Sequence, residues 1–241
     1  MLGGTFNPPH AGHVALARHA RAELGLERVA LMPAFAAPNK RVDHDDPGPE
    51  HRLAMCRLAV LETPGIAASG REIERGGVSY TVDTLQAIHT EHPDVELTFI
   101  VGADTARTLG GWREPQRLLS LAGLAVAERD GLGREEVREA LLGLHPSPRI
   151  EFLAMAPVAV SSSQVRQRVA RGLDVDELVG ERVAGYIAER GLYRDPLAGM
   201  PERDLATSHR RAATVAAHSA TSDRDAGISD DDLPQTGDGL R

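Results

Sequence analysis

The segment Gly3-Gly4-Thr5-Phe6-Asn7-Pro8-Pro9-His10-Ala11-Gly12-His13 combines the residue types that a phosphate-binding loop needs. Glycine lets backbone N–H groups approach an oxyanion closely, and a helix starting here would turn its positive end toward that anion. Thr5 adds a hydroxyl. His10 and His13 add donors that can carry charge near neutral pH. The same two histidines could begin a metal site, but zinc needs three or four ligands. The one cysteine, Cys56, cannot form a thiolate cluster, and no acidic residue adjoins either histidine, so no metal held by protein side chains is expected.

Further along the chain, other segments could join such a loop. Ser79-Tyr80-Thr81-Val82-Asp83-Thr84-Leu85 reads as a helix start, with Ser79 or Thr81 as cap and Asp83 near the positive end. Phe99-Ile100-Val101-Gly102-Ala103-Asp104 is an apolar run ending in Gly-x-Asp. Asp104 could meet ribose hydroxyls or simply cap the next helix. Trp112, the only tryptophan, stands beside Gly110, Gly111 and Arg113, as a core plug or as a stacking plate for an aromatic ligand. In Val160-Ser161-Ser162-Ser163-Gln164-Val165-Arg166, serines open a helix whose first N–H groups are free. Arg166 offers a planar fork for phosphate oxygens, or is a solvated arginine behind a serine cap.

These segments need elements to position them. Helices are expected over residues 12–24, 49–62, 80–89, 115–121, 135–144, 161–171 and 176–190, from apolar spacing, Pro49 and Pro115 at helix starts, and Gly25 after the first. Strands are expected over 29–33, 66–73, 97–101, 124–127 and 150–153, and a long loop over 34–48. The alternation predicts an α/β fold: a Rossmann-like, doubly wound parallel sheet with a helical C-terminal end. Ligands of such sheets bind outside the carboxyl ends of the strands, where 34–48 and 102–112 both begin.

A chain of 241 residues, 41% hydrophobic, supports one domain with a full core, expected over 1–195. Residues 196–241 lose apolar periodicity and read as a disordered polar tail. The net charge of -8 argues against a nucleic-acid partner. No stretch is long and apolar enough for a membrane span or signal peptide, and a lone cysteine fits a reducing compartment. A cytoplasmic protein with no membrane partner is therefore expected.

The opening segment resembles the signature of the nucleotidyltransferase superfamily with the HxGH motif, most closely the bacterial nicotinate-nucleotide adenylyltransferases. The SYTxDTL, GAD-plus-tryptophan and ISSTxIR motifs of that family have counterparts at residues 79–85, 102–112 and 160–166, with Ser163 where the family has threonine. The likeness extends over residues 3–194. It implies transfer of AMP from ATP to nicotinate mononucleotide, giving nicotinate adenine dinucleotide and pyrophosphate, with Mg²⁺ arriving on the ATP.

By the same resemblance, His10, His13, Lys40 and Arg166 would serve catalysis. Gly3, Gly4, Thr5, Phe6, Gly102, Asp104, Ser162 and Ser163 would hold ATP, and Tyr80, Thr81, Asp83 and Trp112 the mononucleotide. Lys40 stands in a counterpart of the family's PPHK stretch, with Asn39 in place of the histidine. Other acceptors on this fold, nicotinamide mononucleotide or pantetheine phosphate, are alternatives, as is a nucleotide sensor without catalysis. The intact pair His10 and His13 favours an enzyme. In the family a hydrophobic strand precedes the loop; here only Met1 and Leu2 do, so a few apolar residues are expected to be missing and the loop to lack its anchor.

Overall fold

The computed structural model describes residues 1–38, 45–128, 133–155 and 158–194. Lys40 and the expected tail lie outside them. Six strands form one parallel sheet: β1 (Leu2–Gly4), β2 (Val29–Pro33), β3 (Ile66–Ala68), β4 (Thr98–Gly102), β5 (Gly123–Ala127) and β6 (Ile150–Leu153). Their order is β3-β2-β1-β4-β5-β6. The chain winds outward from β1 in one direction and then in the other, so the switch point lies between β1 and β4. Crevices at that position take ligands in doubly wound sheets.

The helices are α1 (Ala11–Glu23), α2 (Pro49–Val60), α3 (Arg71–Arg75), α4 (Thr81–Glu91), α5 (Ala103–Arg107), α6 (Pro115–Leu121), α7 (Arg134–Leu142), α8 (Ser162–Ala170), α9 (Asp176–Val179) and α10 (Glu181–Arg190). Pro49 and Pro115 stand at helix starts, where a missing N–H costs nothing. Strand side chains alternate between two cores. Phe99, Val101, Leu124 and Val126 face α4, α6 and α7 side chains such as Leu85, Leu118 and Leu141. Ile100, Ala125 and Leu31 share the other core with Ala17 and Ala20 of α1 and Cys56 and Val60 of α2. The Cys56 thiol is fully buried and free, and burial pushes its pKa up to about 12. A third cluster seats Val165, Val183 and Ile187 of the C-terminal helices against Met55 of α2.

Three sequence expectations change. The central strand takes in Gly3 and Gly4, which the motif reading assigns to the loop. Leu2 pairs with Leu31 on one side and Ile100 on the other. The Gly4 carbonyl accepts the Ala34 N–H at 3.0 Å, and the Met1 nitrogen donates to the Thr98 carbonyl at 2.7 Å. The loop is thus anchored through its own glycines. The expected strand 66–73 stops at Ala68; after Gly70 the chain turns into α3, which carries Arg71 and Glu72. Arg71 forks onto Glu91 of α4 at 2.5 and 2.7 Å. The single helix expected over 176–190 is two, because Gly180 adopts φ 84.

One buried charge ties the strand ends together. Arg52 heads the stripe Arg52, Cys56, Val60 on the buried side of α2 and is 2% exposed. Its Nη1 donates to the carbonyls of Thr5 (2.9 Å) and Ala34 (2.6 Å), its Nη2 to Phe35 O (3.0 Å), and its Nε to Asp46 Oδ1 (3.1 Å). The loops after β1 and β2 are therefore stapled to one guanidinium. Replacing it strands three carbonyls and one carboxylate away from their partner. Arg52→Met is expected to destabilise the fold by about 3–5 kcal/mol, read as a shift of the urea midpoint at unchanged slope.

Candidate active site

A cleft of about 790 Å³ opens at the switch point. That volume suits a nucleotide-sized ligand. Its walls gather segments far apart in sequence. Gly3, Gly4, Thr5, His10 and His13 come from β1 and the start of α1, Tyr80 and Thr81 from the start of α4, Gly102 from the end of β4, and Trp112 from the turn beyond α5. These are nine of the residues expected from the motifs, brought to one place. Ser161 also lines it, as do Glu72 and Arg113.

The histidine pair is built into a helix start. His10 is the N-cap residue of α1, with extended φ -143 and ψ 171. Its backbone N–H donates to His13 Nδ1 at 3.2 Å, and its carbonyl accepts the His13 N–H at 2.9 Å. The two rings stack, with centroids 3.7 Å apart and planes at 27°. Gly12 makes room for this: a Cβ there would stand 3.1 Å from His10 Nδ1 and 3.3 Å from Val160 Cγ1. Burial, with His10 adding repulsion, lowers the His13 pKa to about 3. His13 is therefore neutral at working pH. Its Nδ1 is an acceptor, so the ring proton sits on Nε2, and that atom is a donor.

Phe6 is 2% exposed and sets its ring against His13, centroids 4.9 Å apart at 69°. It is a buried support for the imidazole, not part of the cleft wall. Its backbone lies at φ 52, in the left-handed region, where a non-glycine residue is strained by about 1 kcal/mol. The Thr5 carbonyl next to it is held by Arg52.

The cleft wall at the start of α4 has its own brace. Glu72 is 5% exposed and accepts the Thr84 hydroxyl at 2.7 Å. Burial raises its pKa, and the Thr84 and Ser79 hydroxyls work against that rise. Ser79 Oγ accepts the Phe35 N–H at 2.9 Å. The loop after β2 is thereby joined to the start of α4, where Tyr80 and Thr81 sit. Arg113 lies over the Tyr80 ring, 4.7 Å from its centroid, and pairs with Asp83 at 3.4 Å. Trp112 packs tilted against Phe99 at 6.1 Å while lining the cleft, so it is both core plug and open plate.

The remaining expected residues stand outside the cleft wall. Asp83 faces Arg113, and Asp104 is 63% exposed in the first turn of α5, paired with Arg107 at 3.1 Å. Ser162 Oγ donates to the Pro8 carbonyl and Arg166 Nη1 to the Asn7 carbonyl, each at 2.8 Å, so both fasten the opening loop. Ser163 is exposed, and Ser161 is the cap of α8, accepting the Gln164 N–H. Arg52 and Glu72 were not singled out from sequence. Arg52 had a readable sign, an arginine one turn before Cys56 on the apolar stripe of α2; Glu72 had none, because its segment reads as a strand.

Comparison with known proteins agrees with this geometry. The cytidylyltransferase-like family model matches residues 1–168. A relative from Herpetosiphon aurantiacus named "Probable nicotinate-nucleotide adenylyltransferase" is 40% identical over 198 residues, covering 80% of this chain and 96% of its own. A namesake from a Roseiflexus species is 42% identical over 196 residues, with coverage of 80% and 96%. Among solved structures, the Plasmodium falciparum nicotinic acid mononucleotide adenylyltransferase complexed with NaAD superposes with a TM-score of 0.64 at 17% identity, over 80% of this chain and 95% of that one. That likeness shows the fold. With a family model over most of its length and relatives near 40% identity, the chain belongs to the cytidylyltransferase-like nucleotidyltransferases, among the nicotinate-nucleotide adenylyltransferases.

Proposed function

We propose that the cleft moves AMP from ATP to nicotinate mononucleotide, forming nicotinate adenine dinucleotide and pyrophosphate in NAD biosynthesis. The observation that carries this is the meeting of the stacked His10 and His13 with Tyr80, Thr81 and Trp112 across one switch-point cleft. An oxygen of the mononucleotide phosphate attacks the α-phosphorus of ATP. One P–O bond forms, the bond to the bridging oxygen breaks, and the pyrophosphate leaves with its electron pair. The attacking oxygen is already ionised at neutral pH, so no general base is required. What the protein supplies is alignment and charge stabilisation.

His13 Nε2–H is the donor we assign to the phosphate in transfer, with His10 beside it. Backbone N–H groups at the start of α1 and the hydroxyl of Thr5 serve the ATP phosphates. The start of α4, with Tyr80 and Thr81, offers its positive end to the carboxylate of the pyridine ring, and Trp112 a face for the ring itself. Asp104, Gly102, Ser162, Ser163 and Arg166 complete the nucleotide side, the last by holding the loop. We carry Lys40 as a phosphate ligand from the motif alone. A divalent cation accompanies ATP in such transfers, and we infer that it is Mg²⁺. Such an ion travels with the ATP phosphates and water and needs few protein carboxylates. No described helix is long and apolar enough to cross a membrane. We infer a cytoplasmic setting from the single cysteine, which fits a reducing compartment.

Pyrophosphate release from ATP, measured with nicotinate mononucleotide, nicotinamide mononucleotide and pantetheine phosphate, tests the assignment. Turnover is expected with the first and at most traces with the others. His13→Ala is expected to lower turnover by roughly a hundredfold or more with the fold retained; near-normal turnover in the folded variant would remove His13 from the reaction.

The low His13 pKa also predicts an acid-side effect. The unfolded chain takes up a proton at His13 near pH 6.5, whereas the folded chain resists it until about pH 3. Stability from this residue is therefore whole above 6.5 and is lost as pH falls through that window, on the order of 2 kcal/mol for a partly exposed ring. His13→Asn should flatten the fall in melting temperature between pH 6.5 and about 3; an unchanged slope would show that the ring protonates freely in the folded state.

A further inference from the structure

The far end of the chain reaches back to the opening loop. Gly191 closes α10 at φ 61, a left-handed conformation suited to glycine. Leu192 N–H then donates to the Ile187 carbonyl at 3.0 Å, and the chain reverses. Tyr193 follows at φ 60, rare for an aromatic residue, and packs its ring on the cluster that contains Met55, Val165 and Ile187. Its hydroxyl donates to Asn7 Oδ1 at 2.8 Å.

Asn7 is 4% exposed and stands between Thr5 and His10. Its carbonyl takes the Arg166 hydrogen bond, and the next carbonyl, that of Pro8, takes Ser162. Among the described residues Asn7 Nδ2 is buried with no hydrogen-bond partner. The amide orientation thus depends on its oxygen, and that oxygen on Tyr193. Burial, with Asp46 adding to it, raises the Tyr193 pKa far above its ordinary value, so the phenol keeps its proton throughout the working range.

We propose that Tyr193 is a positioning residue for the transfer reaction: its hydroxyl orients the Asn7 amide and, through Asn7, fixes the course of the loop that delivers His10 and His13. This rests on the adenylyl-transfer reading above. A catalytic loop must hold its donors to a fraction of an ångström in the transition state, more tightly than folding requires. Removing one oxygen that only orients the loop should therefore cost rate and leave stability nearly untouched.

Tyr193→Phe keeps the ring and the turn. Its kcat is expected to fall roughly tenfold, with the KM for nicotinate mononucleotide changed by less than about twofold and the melting temperature lowered by no more than about 4 °C. Asn7→Ala removes the acceptor from the other side and should slow turnover at least as much. In the Asn7→Ala background Tyr193→Phe should cost nothing further, because both act through one hydrogen bond. Wild-type kcat in Tyr193→Phe, or losses that multiply in full in the double variant, would overturn the proposal, as would a rate loss matched by a large fall in melting temperature. A wild-type protein that releases no pyrophosphate with ATP and nicotinate mononucleotide would instead overturn the adenylyl-transfer reading.

Discussion

The guanidinium of Arg52 is the contact on which the geometry at the switch point depends. A parallel sheet brings the ends of β1 and β2 side by side but does not dictate where the chain goes next. The carbonyls of Thr5, Ala34 and Phe35 all turn to Arg52, and Asp46 balances its charge. A buried arginine is costly unless each N–H finds an acceptor. Here the acceptors are the two loops that line the cleft, so stabilising the charge and shaping the site are one event. The strained Phe6 backbone is held within this frame, and Phe6 in turn supports His13.

A second constraint follows from burying imidazoles together. Two stacked rings repel when both are charged, and the half-buried His13 stays neutral. Neutrality combined with an occupied Nδ1 leaves a directed Nε2–H donor in place before any ligand arrives. In the role proposed for His13, such an arrangement needs little reorganisation when charge develops on the phosphoryl group in transfer. The α4 wall of the cleft repeats the principle with opposite sign: Glu72, a buried acid, is satisfied by Thr84 and Ser79 and thereby joins the β2 loop to α4.

Much of this was legible in the chain, and the reasons are physical. Strands buried on both faces, such as Phe99-Ile100-Val101 and Leu124-Ala125-Val126, are continuous apolar runs that periodicity finds easily. The opening segment and the start of α4 carry composite motifs whose resemblance to a family points to one cleft. What stayed hidden depends on contacts across long sequence distance. Gly3 and Gly4 are strand because they pair with Met32 and Pro33 of β2, some thirty residues on. Residues 66–73 read as a strand, yet the chain turns into α3 at Arg71, where Arg71 and Glu72 face partners in α4. Arg52 and Tyr193 act on the loop from 47 and 186 positions away, beyond any local pattern.

The solitary thiol makes the molecule a gauge of its own integrity. Cys56 lies one turn beyond Arg52, sealed between sheet and helix, and its proton is held too tightly for a reactive thiolate to form. An alkylating reagent can find it only when α2 lifts from the sheet. The rate of labelling at Cys56 thus counts openings of the framework that carries the loops, with no other sulfhydryl in the chain to confuse the signal.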